Sequence, residues 1–99
     1  LGDAYREVKN YELAEKYLTE GLRRVQRVGD KYWEANGYVS LGLLYKDKGD
    51  NKLARDYFTR AYNLYKSIGA QAYAEGVKKA LLTLGTDPDK PQKAGKKSR

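Results

Sequence analysis

The chain has 99 residues, 33% of them charged and 40% apolar, with a net charge of +7. It contains no cysteine, histidine or methionine, which excludes a disulfide framework, thiolate metal sites and the commonest general base and metal ligand. No apolar run approaches the roughly 18 residues of a membrane span and no signal peptide is visible, so one small cytoplasmic domain with no membrane partner is expected.

Residues 1–8 read as the last two turns of a helix, closed by the turn signal Lys9-Asn10. Residues 11–28 carry Leu13, Ala14, Tyr17, Leu18, Leu22, Val25 and Val28 at steps of three and four, without proline. That spacing predicts an amphipathic helix. Gly29-Asp30 ends it, and a second full helix is predicted over 31–48, with Tyr38, Leu41, Gly42 and Tyr45 toward the core. Gly49-Asp50 repeats the punctuation. Residues 51–68 carry Leu53, Ala54, Tyr57, Phe58, Ala61, Tyr62, Leu64, Tyr65 and Ile68, again a helix. After Gly69-Ala70 a last helix is predicted over 70–84, using Tyr73, Val77, Ala80, Leu81 and Leu84. Gly85 closes it and Thr86-Asp87-Pro88 prevents continuation. Residues 86–99 hold two prolines and five basic residues but no large apolar side chain, a composition expected to stay disordered. With Asp87 and Asp89 subtracted, this end contributes +3 of the total charge of +7, so the helical part is only mildly basic.

The elements recur at an interval of 40 residues. Leu1-Gly2 returns as Leu41-Gly42, Tyr5 as Tyr45, Leu13-Ala14 as Leu53-Ala54, Tyr17 as Tyr57, Thr19 as Thr59 and Gly29 as Gly69. A period of this length marks a stack of like units. The spacing Tyr38-x2-Leu41-Gly42-x2-Tyr45, then Ala54-x3-Phe58, resembles the tetratricopeptide repeat, with Tyr38 in the place of the usual tryptophan. Leu1-Gly2-x2-Tyr5, then Ala14-x3-Leu18, repeats it. The longer unit is similar to the repeats of kinesin light chains, of spindle-orienting adaptors and of many bacterial and archaeal regulators. The resemblance implies an all-α, right-handed helical-hairpin solenoid of about five helices. It divides the chain into a partial repeat over 1–30, a full repeat over 31–69, a capping helix over 70–84, and a disordered basic tail over 85–99. Leu82 stands where Gly2 and Gly42 would recur, and a leucine there is expected to hold off a further helix. The opening inside a repeat is expected of a fragment, or of the C-terminal end of an array.

In tetratricopeptide arrays the first helix of each pair lines a concave groove. On the 31–48 helix, the side opposite Tyr38, Leu41 and Tyr45 bears Tyr32, Trp33, Asn36, Val39, Ser40, Leu43 and Asp47. The resemblance makes these the partner-binding face, with Arg6 added from one side and Lys79 and Thr83 from the other. Trp33 either anchors a partner or seals the junction with the preceding helix. Some members of the family clamp a terminal carboxylate with lysines and asparagines. Here the matching asparagine places hold Asp3, Leu43 and Thr83, so that clamp is not expected.

The function this implies is protein–protein interaction: a scaffold or adaptor docking a partner's peptide or helix, with no cofactor and no metal. Catalysis has no support, because the carboxylates sit at surface spacing with basic residues nearby, such as Glu12 with Lys16 and Asp56 with Arg60. Two other readings stand beside it. One is a self-associating module, a homodimer or helix-swapped oligomer covering the bare end of the 11–28 helix. The other is a nucleic-acid accessory acting through the tail, which lacks the interleaved aromatics of a single-strand platform.

Overall fold

Among the described residues four α-helices follow one another: α1 (Tyr11–Val28), α2 (Lys31–Lys48), α3 (Asn51–Ser67) and α4 (Gln71–Thr83). This computed structural model describes residues 10–89, so the helix expected over 1–8 lies outside the described residues. The expected spans 11–28 and 31–48 are met residue for residue. The third helix ends at Ser67 rather than 68, and the expected 70–84 helix narrows to Gln71–Thr83.

The helices are this long because strong stop and start signals are fused in pairs. Gly49 adopts φ 88°, a left-handed conformation that side chains disfavour. There its N–H donates to the Lys46 carbonyl at 3.0 Å, and the next N–H, of Asp50, reaches back to the Tyr45 carbonyl at 2.8 Å. The Asp50 carboxylate then accepts from the Leu53 N–H at 3.1 Å and opens α3. Gly29-Asp30 does the same between α1 and α2, Asp30 accepting from the Trp33 N–H at 3.1 Å. Such tight turns leave consecutive helices antiparallel, and each packs chiefly on its neighbours in sequence.

The core is built from small residues at crossings and large ones beside them. Ala14, Ala35, Ala54, Ala61 and Ala74 have no exposed surface. Gly42 is buried against Phe58, which is 1% exposed. Burying a side chain of that size contributes about 1.5–3 kcal/mol. Tyr45 stacks on Tyr57 at 5.6 Å between ring centroids, and its hydroxyl donates to Glu15 of α1 at 2.5 Å. One residue of α2 thereby joins three helices. The expected Glu12–Lys16 and Asp56–Arg60 pairs do not form. Arg60 instead lies over the ring of Tyr57 at 5.3 Å and of Tyr38 at 6.0 Å. A flat guanidinium gains more from two ring faces than from a solvated carboxylate, whose pairing at a surface is worth little.

Beyond α4, Gly85 closes the helix and residues 86–89 turn back onto the body. Asp89 accepts from the Tyr62 hydroxyl of α3, from Lys78 of α4 at 2.7 Å, and pairs with Lys66 of α3 at 3.9 Å. The tail expected from residue 85 onward therefore begins with a charged anchor. Residues 90–99 lie outside the described residues.

Candidate functional site

Helices α2 and α4, alternate in sequence, form the two walls of a groove whose floor belongs to α3. Val39 and Leu43 come from α2; Tyr73, Gly76 and Ala80 come from α4; Phe58 and Tyr65 lie below. The hollow measures about 350 Å³. The three-and-four spacing that buries Leu41 and Tyr45 leaves Val39 and Leu43 turned to the groove, half-buried. Gly76 keeps the α4 wall low, with no atom within 4 Å of where its Cβ would stand.

At one end of this groove four aromatic rings meet. Tyr32 packs edge-on to Trp33 at 5.4 Å and to Tyr73 at 5.3 Å, and Tyr73 stacks on Tyr65 at 5.4 Å. Only Tyr65 is buried; Trp33 is 56% and Tyr73 is 52% exposed. The Tyr65 hydroxyl donates to the Asn36 side chain. Burial, and then the neighbouring Tyr32 and Tyr73, push its pKa up to about 12. Tyr73 is also held above its ordinary value, chiefly by a hydrogen bond with Tyr32. Tyr65 and Tyr73 thus keep their protons and offer ring faces and edges without a charge.

The expected binding residues divide between places. Tyr32, Val39 and Leu43 are together at the α2/α4 groove and its aromatic end. Trp33, Asn36 and Ser40 turn the other way, into a second hollow between α1 and α2. Asp47 is exposed at the far end of α2, where its carbonyl accepts from the Tyr11 hydroxyl at 3.3 Å. Lys79 and Thr83 are exposed on α4 but do not line the groove; the Thr83 hydroxyl donates to the Lys79 carbonyl at 3.0 Å. Arg6 lies outside the described residues. Tyr73 has the spacing to Val77 that predicts a core residue of its helix. It is instead the counterpart of Trp33, 40 residues on, and that recurrence was the signal available in the sequence.

Among the described residues no cluster of carboxylates is arranged to hold a metal ion, and no helix is long and apolar enough to cross a membrane.

Stacked antiparallel helix pairs with a groove between alternate helices define a helical-repeat protein. A model of the tetratricopeptide repeat family matches residues 1–67, about two thirds of the chain. The chain belongs to that family, whose repeats are generally protein–protein interaction modules without catalytic function. Neither the curated proteins nor the solved structures contain a match.

Proposed function

We propose that this chain is a scaffold or adaptor that docks a peptide or helix of a partner protein along the face formed by α2 and α4. The observation that carries this reading is the continuity of an apolar groove with exposed rings. Val39, Leu43 and Ala80 lead directly into Tyr32 and Tyr73, with Trp33 at the rim. Large rings beside a groove are favoured anchors, since they give contact area at small entropic cost. A partner segment with an apolar side chain seats over Phe58 and Tyr65. Asp47, Lys79 and Thr83 offer polar groups on the exposed surfaces beyond the groove. In this reading α4 caps the array, Leu82 standing 49% exposed where the repeat has glycine.

Gly76→Leu tests it. The position is exposed and has open space around its Cβ, so the helix tolerates the side chain while the groove is filled. Peptides selected from a random display library against the wild-type chain should lose about thirtyfold or more in affinity for the variant, the scale of an interface hot spot. Trp33→Ala should weaken the same peptides. Undiminished binding to a folded Gly76→Leu chain would remove the groove from consideration.

A further inference from the structure

The contact that holds Asp89 has a counterpart 40 residues earlier, and the two differ in where the carboxylate comes from. Between α1 and α2 it belongs to the helix pair itself. Glu34 of α2 accepts from the Tyr38 hydroxyl at 2.9 Å and from Gln26 of α1 at 3.4 Å, and it pairs with Lys31 at 3.7 Å. Counting forward 40 residues turns Gln26, Glu34 and Tyr38 into Lys66, Ala74 and Lys78. Between α3 and α4 the two neutral donors have thus become ammonium groups, and the carboxylate has become a methyl group. Two cations on adjoining helices repel each other unless an anion stands between them, and Ala74 supplies none.

Asp89 fills the place from outside the pair. Its Oδ2 accepts from Lys78 at 2.7 Å, while its Oδ1 accepts from the Tyr62 hydroxyl and pairs with Lys66 at 3.9 Å. Both oxygens are engaged, the pattern that suits a carboxylate. Tyr62 is 3% exposed, so its ring is fixed in the core and aims the hydroxyl outward. The receiving groups are therefore set by α3 and α4, whereas the carboxylate is only tethered. It is reached through Gly85 at φ 82°, none of residues 86–89 is buried, and Asp89 itself is exposed.

We propose that Tyr62, Lys66 and Lys78 form a docking site for an acidic side chain of a partner protein, and that Asp89 occupies it until the partner displaces it. Charge complementarity selects this occupant: an apolar or basic segment would leave the two lysines uncompensated. The partner presents its carboxylate from a short turn, the form in which the chain fills the site itself, where the Asp89 N–H donates to the Asp87 side chain at 2.9 Å. The site takes no residue from the α2/α4 groove. Lys78 stands two residues beyond Gly76, about 200° around α4, and the proposal does not depend on the function proposed for the groove.

The probe is a synthetic peptide with the sequence of residues 85–89, capped at both ends, titrated into the isotope-labelled full chain and followed by amide shifts. Asp89→Ala vacates the site. In that variant, saturable shifts centred on Tyr62, Lys66 and Lys78 are expected, with binding that weakens as salt is raised. The wild type should bind the peptide about tenfold less tightly, because the tethered Asp89 competes at a high effective concentration. A peptide whose own aspartate is changed by Asp89→Asn should also lose about tenfold, since the charge-assisted bonds go. Adding Tyr62→Phe to the Asp89→Ala chain removes one donor and keeps the ring in the core; it should weaken binding, as should Lys78→Ala, while Gly76→Leu should not. The inference is overturned if Asp89→Ala binds the peptide no more tightly than the wild type, if the asparagine peptide binds equally well, or if Tyr62→Phe and Lys78→Ala are both without effect. Shifts that centre on the α2/α4 groove and vanish with Gly76→Leu would overturn it as well. So would inorganic phosphate binding more tightly than the peptide, which would make this a phosphate site. Binding that requires cutting the chain after residue 89 would assign the place to the chain's own following residues, and self-association of the wild type that Asp89→Ala abolishes would make a second copy the occupant; either result overturns the inference.

Discussion

A Cβ placed on Gly42 would stand 2.7 Å from Cδ1 and Cε1 of Phe58. No side chain fits in that distance, and Phe58 is itself surrounded, so the ring has little freedom to withdraw. The Leu-Gly dipeptide of the repeat is thus explained by the ring opposite it, which needs bare backbone to lie against.

Gly42→Ala should destabilise the fold although alanine is the better helix former. Overpacking of a filled core costs about 1–3 kcal/mol, and the propensity gain of about 1 kcal/mol offsets only part of it. A fall of several degrees in the melting temperature, followed by circular dichroism, is the expected result. Adding Phe58→Leu, the residue found at the matching position 18, should restore part of the loss.

Gly21→Ala should have the opposite sign. Gly21 sits within α1, exposed, with no atom near its Cβ position. Removing the backbone freedom of the unfolded chain should stabilise the protein by about 0.5–1 kcal/mol, measured by urea denaturation. The two glycines separate packing from propensity within one protein.

The helices were legible in the sequence because period and punctuation agreed: the apolar steps of three and four ran between fused Gly-Asp turns. The site was less legible. A helical wheel correctly removes Leu41 and Tyr45 from the surface of α2, but it has no knowledge of neighbours. It therefore joined Val39 and Leu43 to Trp33 and Ser40, which open on different hollows on either side of the helix. The anchor at Asp89 was invisible for another reason. Tail disorder was read from the lack of apolar side chains, whereas this contact depends on one carboxylate meeting a tyrosine and two lysines from α3 and α4.

That anchor should respond to acid. The hydrogen bond from Lys78, and after it that from Tyr62, hold the Asp89 carboxyl below its ordinary value of 3.8. Its folded-state value is depressed, so its contribution is present above the ordinary carboxylate range and is lost as pH falls through the lowered value. Amide exchange of residues 86–89 should accelerate below about pH 4 while α2 and α3 remain protected. Asp89→Asn should show the fast exchange already at neutral pH.

At the alkaline end Tyr65 contributes beside Tyr45, whose pKa burial raises further still. Burial raises the Tyr65 pKa from 10.0 to about 12. The raised value means that the folded state keeps the proton longer than the unfolded chain does. The stabilisation is complete below pH 10.0 and is lost between there and about 12. Denaturation midpoints measured across that interval should fall more steeply for the wild type than for Tyr65→Phe.

The fused Gly-Asp turns also constrain how such a chain can change length. One residue added between Gly49 and Asp50 would separate the closing bonds from the opening one, and one added inside a helix would rotate everything downstream by about 100°. Added whole turns inside a helix leave both ends of the hinge intact and keep every apolar side chain on its side. Tolerance to insertion should therefore be periodic: steps of about seven residues, two helical turns, survive where single residues do not, and a linker scan through α1 would read as a ruler of the helix itself.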